Sequence, residues 1–162
     1  MIEYTMSCKK IDWLQVHEIL DEAGLSHFSP EDQEKIFTNS DVVSFAIEGK
    51  TVVGVSRALS DGLSQAAIYN VAVRPEYQHR GVALGMVGRL LNALKGQNVI
   101  LYTNPSNVSF YEKFEFRRCK TAMCYFVGEN DHLQLLEDHG FMLPEGYRFV
   151  DEYPKKKISD AR

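Results

Sequence analysis

Cysteine is scarce in this sequence: the 162 residues contain three, at positions 8, 119 and 124, and none of them forms a Cys-x-x-Cys pair. An odd number of cysteines without paired spacing argues against a disulfide framework and against a zinc ribbon. The five histidines are dispersed, and no two of them stand four residues apart as in a helical zinc site. We therefore expect no metal centre and a reducing, cytoplasmic location.

Long apolar runs and an excess of positive charge are also missing. No run reaches the roughly eighteen apolar residues of a membrane span, and Glu3, Lys9 and Asp12 interrupt the N-terminal stretch where an export signal would lie. The 18 Lys+Arg are outnumbered by 22 Asp+Glu, which gives a net charge of -4. Nucleic-acid binding favours the opposite balance, so we expect neither a membrane nor a nucleic acid as a partner.

The composition that remains, 44% hydrophobic and 25% charged, is typical of one globular domain. Alternating or continuous apolar patterns predict strands over residues 2–6, 42–47, 51–59, 66–73, 99–102 and 118–126. Helical spacing with capping signals predicts helices over residues 13–23, 30–39, 82–95, 108–114 and 131–139. This order predicts a mixed α/β fold with a hairpin-rich antiparallel half and one crossover to a parallel strand.

Three large aromatic residues near the first two helices, Trp13, Phe28 and Phe37, are expected in the core. Cys119 and Cys124 lie in the last predicted strand, and we expect them to be small buried apolar residues. The tail around residues 154–157 is expected to be partly disordered.

A turn between a predicted strand and a predicted helix carries the sequence Gln78, His79, Arg80, Gly81, Val82, Ala83. Backbone N–H groups at the start of a helix, together with the helix dipole, can bind a pyrophosphate. Gly81 allows close approach of the backbone, and Arg80 adds a positive donor. Taken alone, the same glycine also suits an ordinary strand-to-helix turn, so this short motif leaves both interpretations open.

Residues 71–83 resemble the acetyl-CoA signature of the GNAT superfamily of N-acetyltransferases, (Q/R)-x-x-G-x-(G/A), and residues 110–116 resemble its second signature, F-Y-x-x-x-G-F. Residues 54–62 are similar to the branch that includes plastid serotonin N-acetyltransferases and bacterial relatives. The resemblance implies a central, mostly antiparallel sheet with splayed central strands, flanked by helices. It implies a GNAT domain over residues 1–127, with 128–162 as an extension that belongs to this domain or forms an interface or lid.

The function implied by the resemblance is transfer of an acetyl group from acetyl-CoA to the primary amine of a small molecule, by direct attack of the amine. The implied catalytic residues are Tyr111, which would protonate the departing thiolate, and Asn70. The implied cofactor-binding residues are Val71, Ala72, Val73, Gln78, His79, Arg80, Gly81, Val82, Ala83, Asn104, Asn107, Phe110 and Tyr111. Relatives are often dimers, so a homodimer is among the expectations.

Two positions depart from the family pattern. Glu115 stands where the second signature has glycine, which suggests a differently shaped turn, and Asn70 stands where the similar branch often has aspartate. An amide cannot take a proton, so the general base stays open among a water held by Asn70, Tyr69, Asp61 and Glu76. The alternative function is a catalytically weak CoA-binding regulatory or sensor module.

Overall fold

A computed structural model describes residues 1–119, 122–126 and 130–143. The chain divides into two compact units, Met1–Leu101 and Tyr102–Arg162. The first unit contains a five-stranded sheet and three helices, and the described part of the second contains two helices.

The sheet of the first unit keeps its strands in sequence order. The strands are β1 (Ile2–Thr5), β2 (Val42–Glu48), β3 (Thr51–Ser60), β4 (Gln65–Val73) and β5 (Asn98–Ile100). The helices are α1 (Trp13–Glu22), α2 (Pro30–Thr38) and α3 (Val82–Ala93). Pairing is antiparallel from β1 to β4 and parallel between β4 and β5, which α3 connects. The predicted mixed α/β fold with a mostly antiparallel sheet is confirmed.

Side-chain caps begin the first two helices where the sequence predicts them. Asp12 accepts hydrogen bonds from the backbone N–H groups of Leu14, at 3.1 Å, and Gln15, at 3.3 Å, and Gln15 Nε2 donates back to Asp12 Oδ2 at 2.9 Å. Ser29 Oγ accepts from the N–H of Asp32 at 3.2 Å, with Pro30 in the first turn. These contacts satisfy donors that have no partner inside the helix, and so they define the start of α1 and α2.

Two apolar clusters cover opposite faces of the sheet. Phe45 belongs to the cluster that contains Val16, Leu20 and Phe37 of α1 and α2. The next residue of β2, Ala46, belongs to a cluster with Val82 and Met86 of α3, and neighbouring strand residues point to opposite faces.

The aromatic residues near the first helices divide between core and surface. The rings of Trp13, Phe37 and Phe45 have centroids 5.4 to 6.1 Å apart, so Trp13 and Phe37 lie in the core as predicted. Phe28 is 57% exposed, and the prediction that it is a core residue is wrong. It lies before the Ser29 cap, outside the helical register that turns Phe37 inward.

The second unit contains a 3-10 turn (Pro105–Asn107), α4 (Val108–Glu112) and α5 (Asn130–Asp138). The helix predicted over residues 131–139 is confirmed within one residue at each end. The strand predicted over residues 118–126 is wrong for its described residues, 118–119 and 122–126, which adopt no strand conformation. Cys119 and Cys124 are exposed rather than buried.

The failure of this strand has a physical reason. A segment with high strand propensity forms a strand only where it can pair with a neighbouring strand and bury one of its faces. Met123 and Tyr125, on one face of such a strand, are 96% and 93% exposed, and Cys124, on the other face, is exposed as well. The segment therefore offers no buried face to a sheet. β5 also ends at Ile100 instead of residue 102. Residues 154–157, expected to be partly disordered, lie outside the described residues.

Candidate active site

Strands β4 and β5 pair over three residues, and β5 then ends. Their pairing joins Gln65 to Asn98, Ala66 to Val99 and Ala67 to Ile100, whereas β4 continues to Val73. Within the first unit, all of whose residues are described, no strand pairs with the β5 side of β4 beyond Ala67. A strand edge presents N–H and C=O groups to which an extended ligand can add as a further strand.

In the same stretch, β4 carries one extra residue relative to β3. The register pairs Val55 with Ala72 and Arg57 with Tyr69, so Asn70 and Val71 together lie opposite Ser56. Asn70 has a φ of 53°, in the left-handed region that asparagine adopts more readily than most residues. A bulge of this kind turns the local backbone, so the amides of residues 70–72 depart from the regular ladder.

The side chain of Asn70 is held by Arg57. Arg57 Nε donates to Asn70 Oδ1 at 2.6 Å, and the guanidinium carbon lies 5.0 Å from the centre of the Tyr69 ring. The side-chain oxygen of Asn70 thus accepts a hydrogen bond from within the protein. The sequence analysis did not single out Arg57. The signal that could have found it is that Arg57 is the only charged residue in the otherwise uncharged strand β3.

After β4 the chain forms a 3-10 turn (Pro75–Tyr77) and then two residues in the left-handed region, His79 at φ 59° and Gly81 at φ 80°. Gly81 precedes the first residue of α3, and no side chain caps this helix start. The first turn of α3 contains no acidic residue. Its leading N–H groups lack partners within the helix, so this turn has the geometry and the charge of an anion-binding site.

Several contacts attach this turn to the sheet. Tyr77 Oη donates to Glu48 Oε2 at 2.9 Å, and the guanidinium of Arg80 lies 5.2 Å from the centre of the Tyr77 ring. Gln78 Nε2 donates to the carbonyl oxygen of Val73 at 3.1 Å. The hydrogen bond to Glu48 raises the pKa of the Tyr77 phenol, so Tyr77 remains a donor at neutral pH. The turn is therefore anchored to β2 as well as to the end of β4.

The second unit holds the other predicted site residues. Tyr111 lies in α4, with its ring 4.9 Å from that of Phe110 and 6.0 Å from that of Phe116. Burial raises the pKa of the Tyr111 phenol, and a side-chain hydrogen bond with Thr103 lowers it to a smaller extent. The phenol therefore keeps its proton at neutral pH and can donate it.

The two predicted asparagines of this unit lie just before α4. Asn104 Oδ1 accepts from the N–H of Ser106 at 3.0 Å and so caps the 3-10 turn, which ends at Asn107. Asn107 is the N-cap residue of α4, and its side chain makes no capping hydrogen bond there. Asn104 has a structural role that the sequence analysis did not predict.

Glu115 ends α4 in a backbone conformation that glycine favours. Its φ is 66°, and the bonds from the N–H of Glu115 to the carbonyl of Glu112 and from the N–H of Phe116 to that of Tyr111 form a Schellman motif. Whether this turn differs in shape from that of the family stays a prediction. The glutamate adopts the left-handed conformation and bears its steric strain.

A groove of ≈ 440 Å³ opens between α2 and β3 on the face of the sheet that α1 and α2 cover. Its apolar lining comes from Phe28, Ile36 and Leu59, and its charged lining from Asp32, Lys35 and Arg57. Arg57 therefore contacts both the groove and the bulge residue Asn70. The exposed ring of Phe28, misplaced by the sequence analysis, is part of this groove.

Of the acids considered as a general base, Asp61 is committed to the turn between β3 and β4. Its carboxylate accepts from the backbone N–H groups of Leu63, Ser64 and Gln65 at 2.7 to 3.0 Å. These bonds hold the pKa of Asp61 far below its usual value, which makes it a poor proton acceptor. Glu76 is exposed in the turn before α3, and Tyr69 stacks with Arg57.

The predicted site residues fall into two groups. Residues 70–73 and 78–83 form one stretch of the first unit, which runs from the bulge to the first turn of α3, whereas Asn104, Asn107, Phe110 and Tyr111 lie together in the second unit. Among the described residues, no group of three or more His, Cys, Asp or Glu side chains could hold a metal ion. In the same part of the chain, no helix combines the length and apolar character needed to cross a membrane.

Comparison with known proteins gives a consistent result. The sequence profile of the acetyltransferase (GNAT) family matches residues 12–116. An uncharacterized N-acetyltransferase ycf52 of Pyropia yezoensis is 27% identical over 120 residues, which cover 70% of this chain and 69% of that protein. The chloroplastic serotonin N-acetyltransferase 2 of Oryza sativa subsp. japonica is 28% identical over 108 residues, which cover 62% of this chain and 54% of that protein.

The solved structures show the same fold. A predicted acetyltransferase with acetyl-CoA from Clostridium acetobutylicum matches with a TM-score of 0.61 and 19% identity, over 86% of this chain and 99% of that one. The resemblance stated from the two signatures, including the similarity to plastid serotonin N-acetyltransferases, is confirmed.

Proposed function

Because this chain belongs to the GNAT family of acetyltransferases, and so is an acyltransferase, we propose that it transfers the acetyl group of acetyl-CoA to the primary amine of a small molecule. The observation that carries the proposal is the continuous stretch from the β4 bulge to the start of α3. It combines a strand edge, a turned backbone and an anion-binding turn within fourteen residues, 70–83.

The residues present suit acetyl-CoA. A Cβ placed on Gly81 would meet no atom within 4 Å, so the space in front of the helix start is open. The amides of residues 79–83 and the Arg80 guanidinium would hold the pyrophosphate. The backbone of Val71, Ala72 and Val73 would pair with the pantetheine. For Asn104, Asn107 and Phe110, a contact with the cofactor is what the resemblance to the family implies.

Acetyl-CoA supplies the reactive thioester, and the protein residues orient it and move protons. In the proposed reaction the amine nitrogen bonds to the acetyl carbon, and the carbon–sulfur bond breaks. A backbone amide among residues 70–72 donates to the carbonyl oxygen as negative charge develops there. Tyr111 Oη gives its proton to the leaving sulfur, and the amine loses its proton to solvent or to a water held near Asn70.

The groove between α2 and β3 is the proposed place for the acceptor. Phe28, Ile36 and Leu59 offer an apolar wall, whereas the charged lining sets one carboxylate, Asp32, against the cations of Lys35 and Arg57. An amine with an apolar body suits this lining better than a highly charged one.

Thermal unfolding with and without acetyl-CoA tests the binding step. A ligand at about 100 times its Kd adds about 2.7 kcal/mol of stability, which raises Tm by about 5 to 10 °C for a chain of this size. Gly81→Glu, which places a carboxylate in the turn, should lose most of this increase. A wild-type Tm that does not respond to millimolar acetyl-CoA contradicts the proposal.

A thiol-release assay with a panel of primary amines then tests the transfer step. Turnover that needs both acetyl-CoA and an amine supports the acetyltransferase. Tight binding of acetyl-CoA with no turnover for any amine would favour a CoA-binding regulatory module instead.

A further inference from the structure

We propose that Arg57 is a positioning residue of the acetyl-transfer site: it fixes the β4 bulge, and with it the amides of residues 70–72 that face the acetyl carbonyl. The inference rests on the proposed function for the identity of the bound group. It adds a residue, and a physical role for it, outside the two family signatures.

The first support is the contact between Arg57 and the bulge residue itself. Arg57 Nε donates to Asn70 Oδ1 over 2.6 Å in a partly buried setting. The φ of 53° at Asn70 lies in the left-handed region, which is less favourable than regular strand even for asparagine, although asparagine tolerates it better than most residues. A charge-assisted hydrogen bond to that side chain stabilises this conformation against a return to regular strand.

The second support is that Arg57 is itself held from two other directions. Its guanidinium lies 5.0 Å from the centre of the Tyr69 ring, on the residue just before the bulge. Its Nη1 donates to Ser40 Oγ at 3.3 Å, and that hydroxyl donates to the carbonyl of Ile36 in α2 at 2.9 Å. The planar fork of the arginine thus connects the bulge to the end of α2, which a lysine could not do with the same geometry.

The third support is the contrast between Arg57 and Asp61, the two charged residues of the stretch 54–62. Asp61 in this stretch organises the turn between β3 and β4 through its backbone contacts. Arg57 has a different role, because its side chain reaches from β3 to the bulge of the neighbouring strand β4.

The test uses amide NMR of the full chain, because binding alone reports on the bulge and no acceptor amine is needed. The difference between the amide shifts with acetyl-CoA and with CoA isolates the effect of the acetyl group. In the wild type this difference should be largest at residues 70–72. In Arg57→Gln it should fall by at least half at those residues, while the shifts of residues 79–83 on binding either ligand stay unchanged.

Matched variants separate positioning from a general loss of stability. Arg89 also stacks on a tyrosine, 3.9 Å from the ring centre of Tyr4, and donates to a carbonyl at 2.8 Å, so Arg89→Gln is the control that should retain the acetyl-dependent shifts. Arg57→Lys should restore part of the effect. In Asn70→Gly the glycine adopts a positive φ readily and has no side chain that Arg57 could bind. Adding Arg57→Gln to this variant should therefore change the acetyl-dependent shifts little further.

Kinetics with any accepted amine give a second readout. Arg57→Gln should lower kcat by about tenfold or more, as a misplaced positioning group does, while the Kd for acetyl-CoA changes less than threefold. Unchanged acetyl-dependent shifts in Arg57→Gln, or an equal effect of that variant in the Asn70→Gly background, overturn the inference.

The outcomes also separate this inference from the proposed function. Acetyl-dependent shifts at residues 70–72 that depend on Arg57, in a protein that acetylates no amine, would support the inference and contradict the transfer function. Turnover together with an absence of acetyl-dependent shifts at the bulge would do the reverse.

Discussion

Replacement of Gly81 by glutamate perturbs the proposed pyrophosphate site in two separable ways. The first is backbone strain, because Gly81 has a φ of 80°, which costs a residue with a Cβ about 1 to 2 kcal/mol. For a chain of this size that cost lowers Tm by about 2 to 8 °C. A steric clash adds nothing, since a Cβ at this position meets no atom within 4 Å.

The second effect is charge. Two like charges about 4 Å apart near a protein surface repel by about 4 kcal/mol, and solvent screening at an exposed turn reduces this by about half. The remaining roughly 2 kcal/mol weakens binding of acetyl-CoA by about 30-fold. Gly81→Glu should therefore weaken acetyl-CoA binding in addition to lowering Tm, and the two effects are separable because only the loss of affinity depends on the introduced charge.

Gly49 provides the matched control for this experiment. It has a φ of 62° and open space around its Cβ, but it lies in the turn between β2 and β3. Gly49→Glu should lower Tm by a similar amount and leave the Kd for acetyl-CoA, measured by calorimetry, unchanged. An acetylated pantetheine without the pyrophosphate should not discriminate between wild type and Gly81→Glu. Equal Kd values for acetyl-CoA in the two glycine variants would refute the assignment of the turn.

Three further predictions concern Tyr111, Glu115 and Asp61. Tyr111→Phe should lower kcat by about 10²-fold in the thiol-release assay with little change in the Kd for acetyl-CoA. Because burial raises the pKa of the phenol, any loss of wild-type activity through loss of this proton should occur at higher pH than the titration of a free phenol. Glu115→Gly relieves the strain at φ 66° and should stabilise the protein by about 1 kcal/mol, measured as a higher Tm, whereas an unchanged or lower Tm argues against that strain. Asp61→Asn should lower Tm at pH 7, and the difference from wild type should shrink below about pH 4, because a carboxyl with a depressed folded pKa contributes stability above its unfolded pKa and loses it as pH falls.

The sequence predicts most of the first unit because its signals are local. Asp12 and Ser29 cap helices through neighbours two or three residues away, and the hairpin between β2 and β3 follows from Gly49 between two apolar runs. Such contacts need no knowledge of distant parts of the chain.

The wrong predictions depend on distant partners. The alternation in residues 118–126 looks like a strand, but pairing and a buried face come from elsewhere in the fold, and Tyr125 is left exposed. Phe28 is large and apolar, yet its position just outside α2 places it in the groove. Composition and spacing predict neither the absence of this strand nor the exposure of Phe28.

The candidate site shows the same division. The helix start at Gly81 is visible in the sequence as a glycine between a strand and a helix. The contact between Arg57 and Asn70 joins residues 13 positions apart through a shift in register, which periodicity alone does not reveal. That Glu115 adopts a glycine conformation also becomes visible only from its backbone angle.

The order of the strands has a consequence for how the protein folds. β2, β3 and β4 are joined by tight turns and pair with their sequence neighbours, so this meander can close early and at small loop-closure cost. β5 reaches β4 only after the chain has passed through α3, a parallel crossover that closes a longer loop. We therefore expect the pairing of β5 with β4 to be completed late in folding, after the rest of the sheet has formed.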